Sequence, residues 1–221
     1  MGWAEYFVVT TVAKSTARHF LYDHNNQPIT AQYLYHHTTF GALACILAKS
    51  IKRDIMTHSF LTAGRRVLEI EAAAITAQID SINEQFEQTC KRILDSRGRV
   101  IVTGMGKSGH IAAKVAATLA STGTPAFFVH PAEASHGDLG MITPEDIVLA
   151  FSNSGETSEV LAILPVLKRR SIPLISLTGR PESTLATQAD IHIPVIVHEE
   201  ACPLTLAPTS GTTAALAMGD A

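Results

Sequence analysis

The sequence predicts a three-layer α/β/α sandwich around a mainly parallel sheet, preceded by a long amphipathic helix. Three observations carry that expectation. After Gly98, short continuous apolar runs alternate with helical patterns, as expected of strands buried on both faces. Twice, such a run enters a turn rich in glycine and hydroxyl residues that opens a helix. The first is Val100-Ile101-Val102-Thr103 into Gly104-Met105-Gly106-Lys107-Ser108-Gly109; the second is Ile147 to Phe151 into Ser152-Asn153-Ser154-Gly155-Glu156-Thr157. Ahead of both, Ile75, Ile79, Ile82, Phe86, Cys90 and Ile93 step by 4, 3, 4, 4 and 3 residues, the stripe of an amphipathic helix.

Taken in order, residues 1–55 do not resemble the rest. They are rich in Tyr, His and Thr, carry Asn25-Asn26 and His36-His37 pairs, and show no sustained period. They read as an atypical extension outside the fold, with a partner-binding arm as the alternative. Met56 looks like a natural start, and 56–97 form the helical segment, whose stripe must be buried on the sheet or across a subunit interface. The domain proper is 98–221. Strand 99–103 leads to an alanine-rich helix over about 108–121, followed by strand 126–129 and a polar loop to Gly140. Strand 147–151 leads to a helix near 158–169. Strand 173–178, a helical turn around 183–188, strand 191–197 and a helix from Thr209 complete the pattern.

Bulk properties narrow the function classes. Net charge is −3 and no basic stripe stands out, which argues against nucleic acid. The most membrane-like stretch, Phe40 to Ala48, falls far short of the roughly 20 residues of a membrane span. Three cysteines (Cys45, Cys90, Cys202) lack disulfide or metal spacing, which favours a reducing compartment. With no signal-peptide pattern at the N-terminus, a cytoplasmic protein is expected.

The two turns carry the chemistry. Each gathers backbone N–H groups and a helix N-terminus around one point, where the dipole favours an anion. Gly104 to Gly109 matches the G-x-G-x-x-G dinucleotide fingerprint. That reading wants an acid at the end of the second strand, where the sequence has His130. Gly106-Lys107-Ser108 suggests a nucleotide P-loop, but the required earlier glycine would be Ile101. A small-anion or sugar-phosphate site remains, against the plainer reading of a tight strand–helix turn. The hydroxyls of Ser152, Ser154 and Thr157 favour the former.

Ser152 to Thr157 resembles the phosphosugar-binding turn of the sugar isomerase (SIS) domain superfamily. Gly104 to His110, His130 to Gly140, Glu200-Ala201-Cys202-Pro203-Leu204 and Leu206-Ala207-Pro208-Thr209-Ser210 make the sequence similar to the D-arabinose 5-phosphate isomerase family over roughly Leu61 to Ala221. That resemblance implies an aldose–ketose isomerase interconverting D-ribulose 5-phosphate and D-arabinose 5-phosphate through an enediol. The pathway would be Kdo synthesis for lipopolysaccharide or capsule, and the assembly a homotetramer. It implies Lys107, Glu159 and Glu200 as catalytic positions. The implied substrate contacts are Ser108, Gly123, Thr124, His130, His136, Ser152, Ser154, Thr157, Thr209 and Ser210. The family is associated with zinc at the position of His130, a metal that enediol chemistry does not require.

Glu200 precedes a loop with little evident structural demand for an acid, which favours an acid/base role. Lys107 reads either as a stabiliser of the enediolate or phosphate, or as a solvated first-turn lysine. Two departures from the family stand out. The sequence ends at Gly219-Asp220-Ala221, before the Ser-His-Pro-Gly-Gly segment and the CBS pair of family members, so weakened turnover and packing are expected. Gly211 stands where the family usually has a serine. A non-catalytic phosphosugar-binding or regulatory SIS module is therefore the alternative, although residues 1–60 show no helix-turn-helix.

Overall fold

Among the described residues five strands form one sheet: β1 (Val100–Gly104), β2 (Ala126–Phe128), β3 (Ile147–Phe151), β4 (Leu174–Thr178) and β5 (Ile191–Pro194). All are parallel, in the order β2-β1-β3-β4-β5. The structure, a computed structural model, describes residues 60–204 and 206–221, of which Ala63–Ala221 form one compact unit. The proposed extension over 1–55, with its His36-His37 pair, Cys45 and the Phe40 to Ala48 run, lies outside the described residues, as does Met56.

The continuous apolar strands are explained by two cores. Val100, Val102, Ile147, Leu149, Ile175, Leu177 and Ile193 face one way, against Ala112 and Val115 of α3 and Ala214 and Met218 of α7. Here α3 is Gly106–Ser121 and α7 is Ser210–Asp220. Ile101, Val148, Ala150 and Leu174 face the other way, against Val160, Ile163, Leu164 and Leu167 of α5 (Ser158–Arg169) and Ala134 of α4 (Pro131–Ser135). Successive strand residues alternate between the two cores, as the pleat requires. The three-layer sandwich is as expected, with strand bounds within a few residues of the sequence reading.

The segment before β1 differs from one long helix. It consists of α1 (Phe60–Ala77), a 3-10 turn (Gln78–Ser81) and α2 (Glu84–Leu94). Two side chains cause the break. Asn83 caps α2, its Oδ1 accepting from the N–H groups of Gln85 (2.9 Å) and Phe86 (3.4 Å). Gln78, only 5% exposed, donates Nε2 to the carbonyls of Ala74 and Ile196 and accepts from Ile196 N–H. Its amide thus serves as the backbone partner of Ile196, just where β5 has ended. The apolar stripe divides accordingly: Phe86 and Ile93 pack on the sheet, whereas Ile75, Ile79 and Ile82 remain exposed. The polar loop before Gly140 also contains more structure than expected, namely α4 and a 3-10 turn (Asp138–Met141).

At the amino end of the sheet Asp146 is 1% exposed and holds the strand starts together. It accepts from Arg99 N–H, the Arg99 guanidinium and Thr143 N–H. No helix among the described residues is long and apolar enough to cross a membrane.

Candidate active site at the carboxyl ends of the strands

Strand order 2-1-3-4-5 reverses direction between β1 and β3, so the chains leaving these strands diverge to opposite faces. A crevice opens there, where ligands of open α/β sheets bind. A cavity of about 220 Å³ lies at this point, walled by Lys107 and Ser108 after β1, Ser152 and Asn153 after β3, Thr178 at the end of β4, and Gly211 and Thr212 of α7. The first turn of α3 borders it, with Met105, Lys107 and Ser108 all in its lining. Gly109 N–H bonds Met105 O at 3.3 Å, and the N–H groups before it have no intrahelical acceptor. A side chain at Gly109 would stand 2.6 Å from Gly104 O, so glycine lets the helix start sit directly on the strand end.

The second turn is tied by its own hydroxyls. Ser152 Oγ lies 2.8 Å from Thr157 Oγ1 and accepts from Gly155 N–H at 3.1 Å; Ser154 Oγ accepts from Glu156 N–H. These serines and threonine therefore have a structural reason to cluster, which the sequence did not reveal. Gly155 has φ +66, and a Cβ on it would fall 2.0 Å from Ser183 Oγ. Only glycine fits that place.

The structure brings Lys107, Ser108 and Ser152 to one cavity, whereas Ser154 and Thr157 brace the second turn without lining it. Glu159 sits in the first turn of α5, where its own N–H, the Ser158 hydroxyl (2.9 Å) and the nearby His130 imidazole hold its carboxyl below the usual range. His130 stands at the N-cap position of α4 after β2 without a side-chain capping bond, its Nδ1 buried without a hydrogen-bond partner. His136 is exposed at the end of α4 and lines none of the cavities described. Gly123 and Thr124 lie at the opposite end of the sheet, just before Ala126, the β2 residue paired with the first residue of β1. Within one chain they do not meet the cavity.

Glu200 lines a second cavity of about 260 Å³, with Arg180 and His198 among its other walls and Asn153 and Val195 common to both. Contrary to the sequence reading, its loop does make a structural demand for an acid. Glu200 Oε2 accepts from Thr209 N–H (2.6 Å) and Thr209 Oγ1–H (2.9 Å), and Oε1 accepts from Gly211 N–H (3.2 Å). The carboxylate thus caps α7, as a negative group at a helix N-terminus should. Thr209 is consumed by this cap, and Ser210 is fully buried with its Oγ unpartnered. Sequence reasoning passed over Asn153, Thr178, Thr212, Arg180 and His198. Asn153 was available from its place inside the second turn, and Thr178 from its place ending an apolar strand.

Among the described residues of one chain no three His, Cys, Asp or Glu side chains come together as ligands for an ion, so a zinc at His130, which takes four ligands, would need donors from beyond that set.

Comparison with known proteins agrees with this geometry. The SIS domain family model matches residues 93–221. The arabinose 5-phosphate isomerases KdsD of Yersinia pestis and of Escherichia coli K12 are 62% and 59% identical over 163 and 162 residues. In each case the match covers 73% of this chain and 49% of the relative, so the chain spans about half the length of these curated relatives. The structure of the c3406 protein of E. coli CFT073 in complex with arabinose 5-phosphate superposes with a TM-score of 0.70 at 45% identity, over 72% of this chain and 85% of that one. With the family model matched over more than half of its length, this chain belongs to the SIS domain family.

Proposed function

We propose that this chain binds a pentose 5-phosphate and interconverts D-ribulose 5-phosphate and D-arabinose 5-phosphate. The observation that carries the proposal is the convergence of Lys107, Ser108 and Ser152 with the α3 N-terminus on one cavity. This is the set of donors a phosphate dianion needs. The identity to KdsD proteins and the likeness to a structure holding arabinose 5-phosphate support pentose phosphate as the ligand.

In the ketose-to-aldose direction a carboxylate removes a proton from C1. The C1–C2 bond becomes the enediol double bond, and O2 takes up the negative charge. A proton is then delivered to C2 while the O1 proton passes to O2, so that C1 becomes the aldehyde and C2 carries a hydroxyl. Delivery to one face of C2 gives arabinose and to the other gives ribose, so the acid must stand on a fixed side. Glu159 and Glu200 are the carboxylates assigned to these transfers. Lys107 Nζ and the N–H groups of the α3 start are the donors for the enediolate oxygen or the phosphate. None of these steps needs a metal. Ser154 and Thr157 belong to the second turn and Thr209 and Ser210 to the start of α7, behind the residues that line the cavity, and His130 and His136, which line neither cavity, are assigned to the sugar hydroxyls by the family resemblance alone. Gly123 and Thr124 would reach a site only from a neighbouring copy, in keeping with a homo-oligomeric, tetrameric assembly.

The test is conversion of D-ribulose 5-phosphate by the 221-residue chain, with and without EDTA, following D-arabinose 5-phosphate. Turnover unaffected by EDTA supports the reading. Binding of D-arabinose 5-phosphate without turnover favours the regulatory module, and absence of both refutes the site.

A further inference from the structure

The second cavity holds a cation that neither carboxylate in its walls neutralises. Those walls carry Arg180, Glu199 and Glu200. Glu199 pairs with Arg66 of α1 at 2.8 Å, and Glu200 is held by the N–H groups of Thr209 and Gly211 at the start of α7. Among the described residues no hydrogen bond or ion pair occupies the Arg180 guanidinium. Its backbone, by contrast, is fixed just past the end of β4. The Arg180 carbonyl accepts from Thr178 Oγ1 at 2.9 Å and from Ser183 Oγ at 2.7 Å, and its N–H donates to Thr178 Oγ1 at 3.2 Å. A turn anchored by three hydrogen bonds thus holds a free, permanently charged head beside the carboxylate assigned an acid/base role.

Asn153 and Val195 line both cavities, so one extended ligand can occupy the two together. With the phosphate on Lys107, Ser108 and Ser152 in the first, the reacting end of a five-carbon sugar falls beside Glu200 and Arg180 in the second. The two ends ask for different donors. A phosphate is well served by a point charge and N–H groups. An enediolate carries O1 and O2 side by side in one plane, the pattern that the planar fork of a guanidinium matches with two parallel N–H donors. We propose that Arg180 is a catalytic residue: its guanidinium holds the paired O1 and O2 of the enediolate in the second cavity, leaving Lys107 to the phosphate in the first. This inference rests on the isomerase reading above and deepens it.

The experiment compares the wild-type chain with Arg180→Gln and Arg180→Lys. Calorimetry measures two probes: inorganic phosphate, and 4-phospho-D-erythronohydroxamate, whose adjacent oxygens copy those of the enediolate. Thermal melting, kcat and KM are measured beside it. Arg180→Gln should bind the hydroxamate about a hundredfold more weakly and phosphate within about twofold of wild type. Its kcat should fall about a hundredfold with KM within about twofold, the mark of an interaction made in the transition state. Arg180→Lys should fall between, since it keeps the charge and loses the fork. Because the residue is exposed, melting should stay within about 2 °C of wild type. Unchanged hydroxamate affinity in Arg180→Gln overturns the inference, as does an unchanged kcat. An equal loss for both probes also overturns it, because Arg180 would then be a phosphate ligand. If the wild-type chain converts neither pentose phosphate, the isomerase reading fails separately. The two probes then decide Arg180 by themselves: a loss confined to the hydroxamate supports the assignment, and any other pattern overturns it. A wild-type chain that binds the hydroxamate no more tightly than phosphate overturns it as well.

Discussion

Replacing Gly155 by alanine should cost the domain about 2–3 kcal/mol, from two sources that can be separated. The first is backbone: φ is +66 at this residue, and an L side chain in the left-handed region costs about 1–2 kcal/mol. The second is collision: the new Cβ would stand 2.0 Å from Ser183 Oγ and 2.4 Å from Ser183 Cβ. Ser183 Oγ bonds Arg180 O at 2.7 Å and caps α6 (Thr184–Gln188), accepting from Ala186 N–H at 3.4 Å. Pushing it aside forfeits a cap of about 1 kcal/mol. At this domain size the sum lowers the melting temperature by about 5–10 °C. The assay is thermal unfolding of Gly155→Ala beside Gly155→Ala/Ser183→Gly, which removes the collision but keeps the backbone cost. The double variant should recover roughly a third of the loss, since glycine at an N-cap sacrifices only a few tenths of a kcal/mol. A single variant melting within about 2 °C of wild type would refute the reasoning, because neither the φ nor the contact could then be as described.

Asp146 sets the acid limit of the fold. Burial pushes its carboxyl up, but the Arg99 guanidinium and the N–H groups of Thr143 and Arg99 outweigh this and bring it from 3.8 down to about 2. A folded-state value below the unfolded one means stability that is present above about pH 4 and lost as pH falls toward 2. With the Arg99 side chain 42% exposed, this amounts to about 1–2 kcal/mol. Asp146→Asn should therefore unfold earlier in urea at pH 7 and lose most of that difference at about pH 2.5; an equal gap at both values contradicts the assignment. Asn83→Ala removes the cap that starts α2 and should cost about 1 kcal/mol by denaturant titration, whereas an unchanged midpoint would mean the cap is not formed. Lys107→Ala should leave stability unchanged or slightly raised, since an exposed cation at a helix N-terminus opposes the dipole by about 0.3–1 kcal/mol. Its affinity for D-arabinose 5-phosphate by calorimetry should fall at least about tenfold, and unchanged affinity would make it a solvated surface lysine.

The sheet and its two turns were legible in the amino-acid sequence because they depend on local patterns. Runs such as Ile147 to Phe151 are apolar at every position, which only a strand covered on both faces tolerates. Gly104 to Gly109 and Ser152 to Thr157 show their turns through glycine and hydroxyl spacing. Lys107, Ser108 and Ser152 could be named from sequence because a strand end followed by a helix start fixes where its residues point. Contacts between residues distant in the chain account for what local pattern left open. Gln78 ends the first helix because Ile196, 118 residues away, needs a partner for its backbone, so an apparently continuous stripe became two helices. Glu200 looked free of structural duty because its partners, Thr209 and Gly211, come from a helix that returns to it only after the chain has folded. Gly123 and Thr124 are substrate contacts only through the family resemblance, and α3 carries the chain back across the sheet and leaves them at its other end. Periodicity records which face of an element is buried; it does not record what covers that face, and the roles of Gln78, Glu200 and Gly211 depend on what covers them.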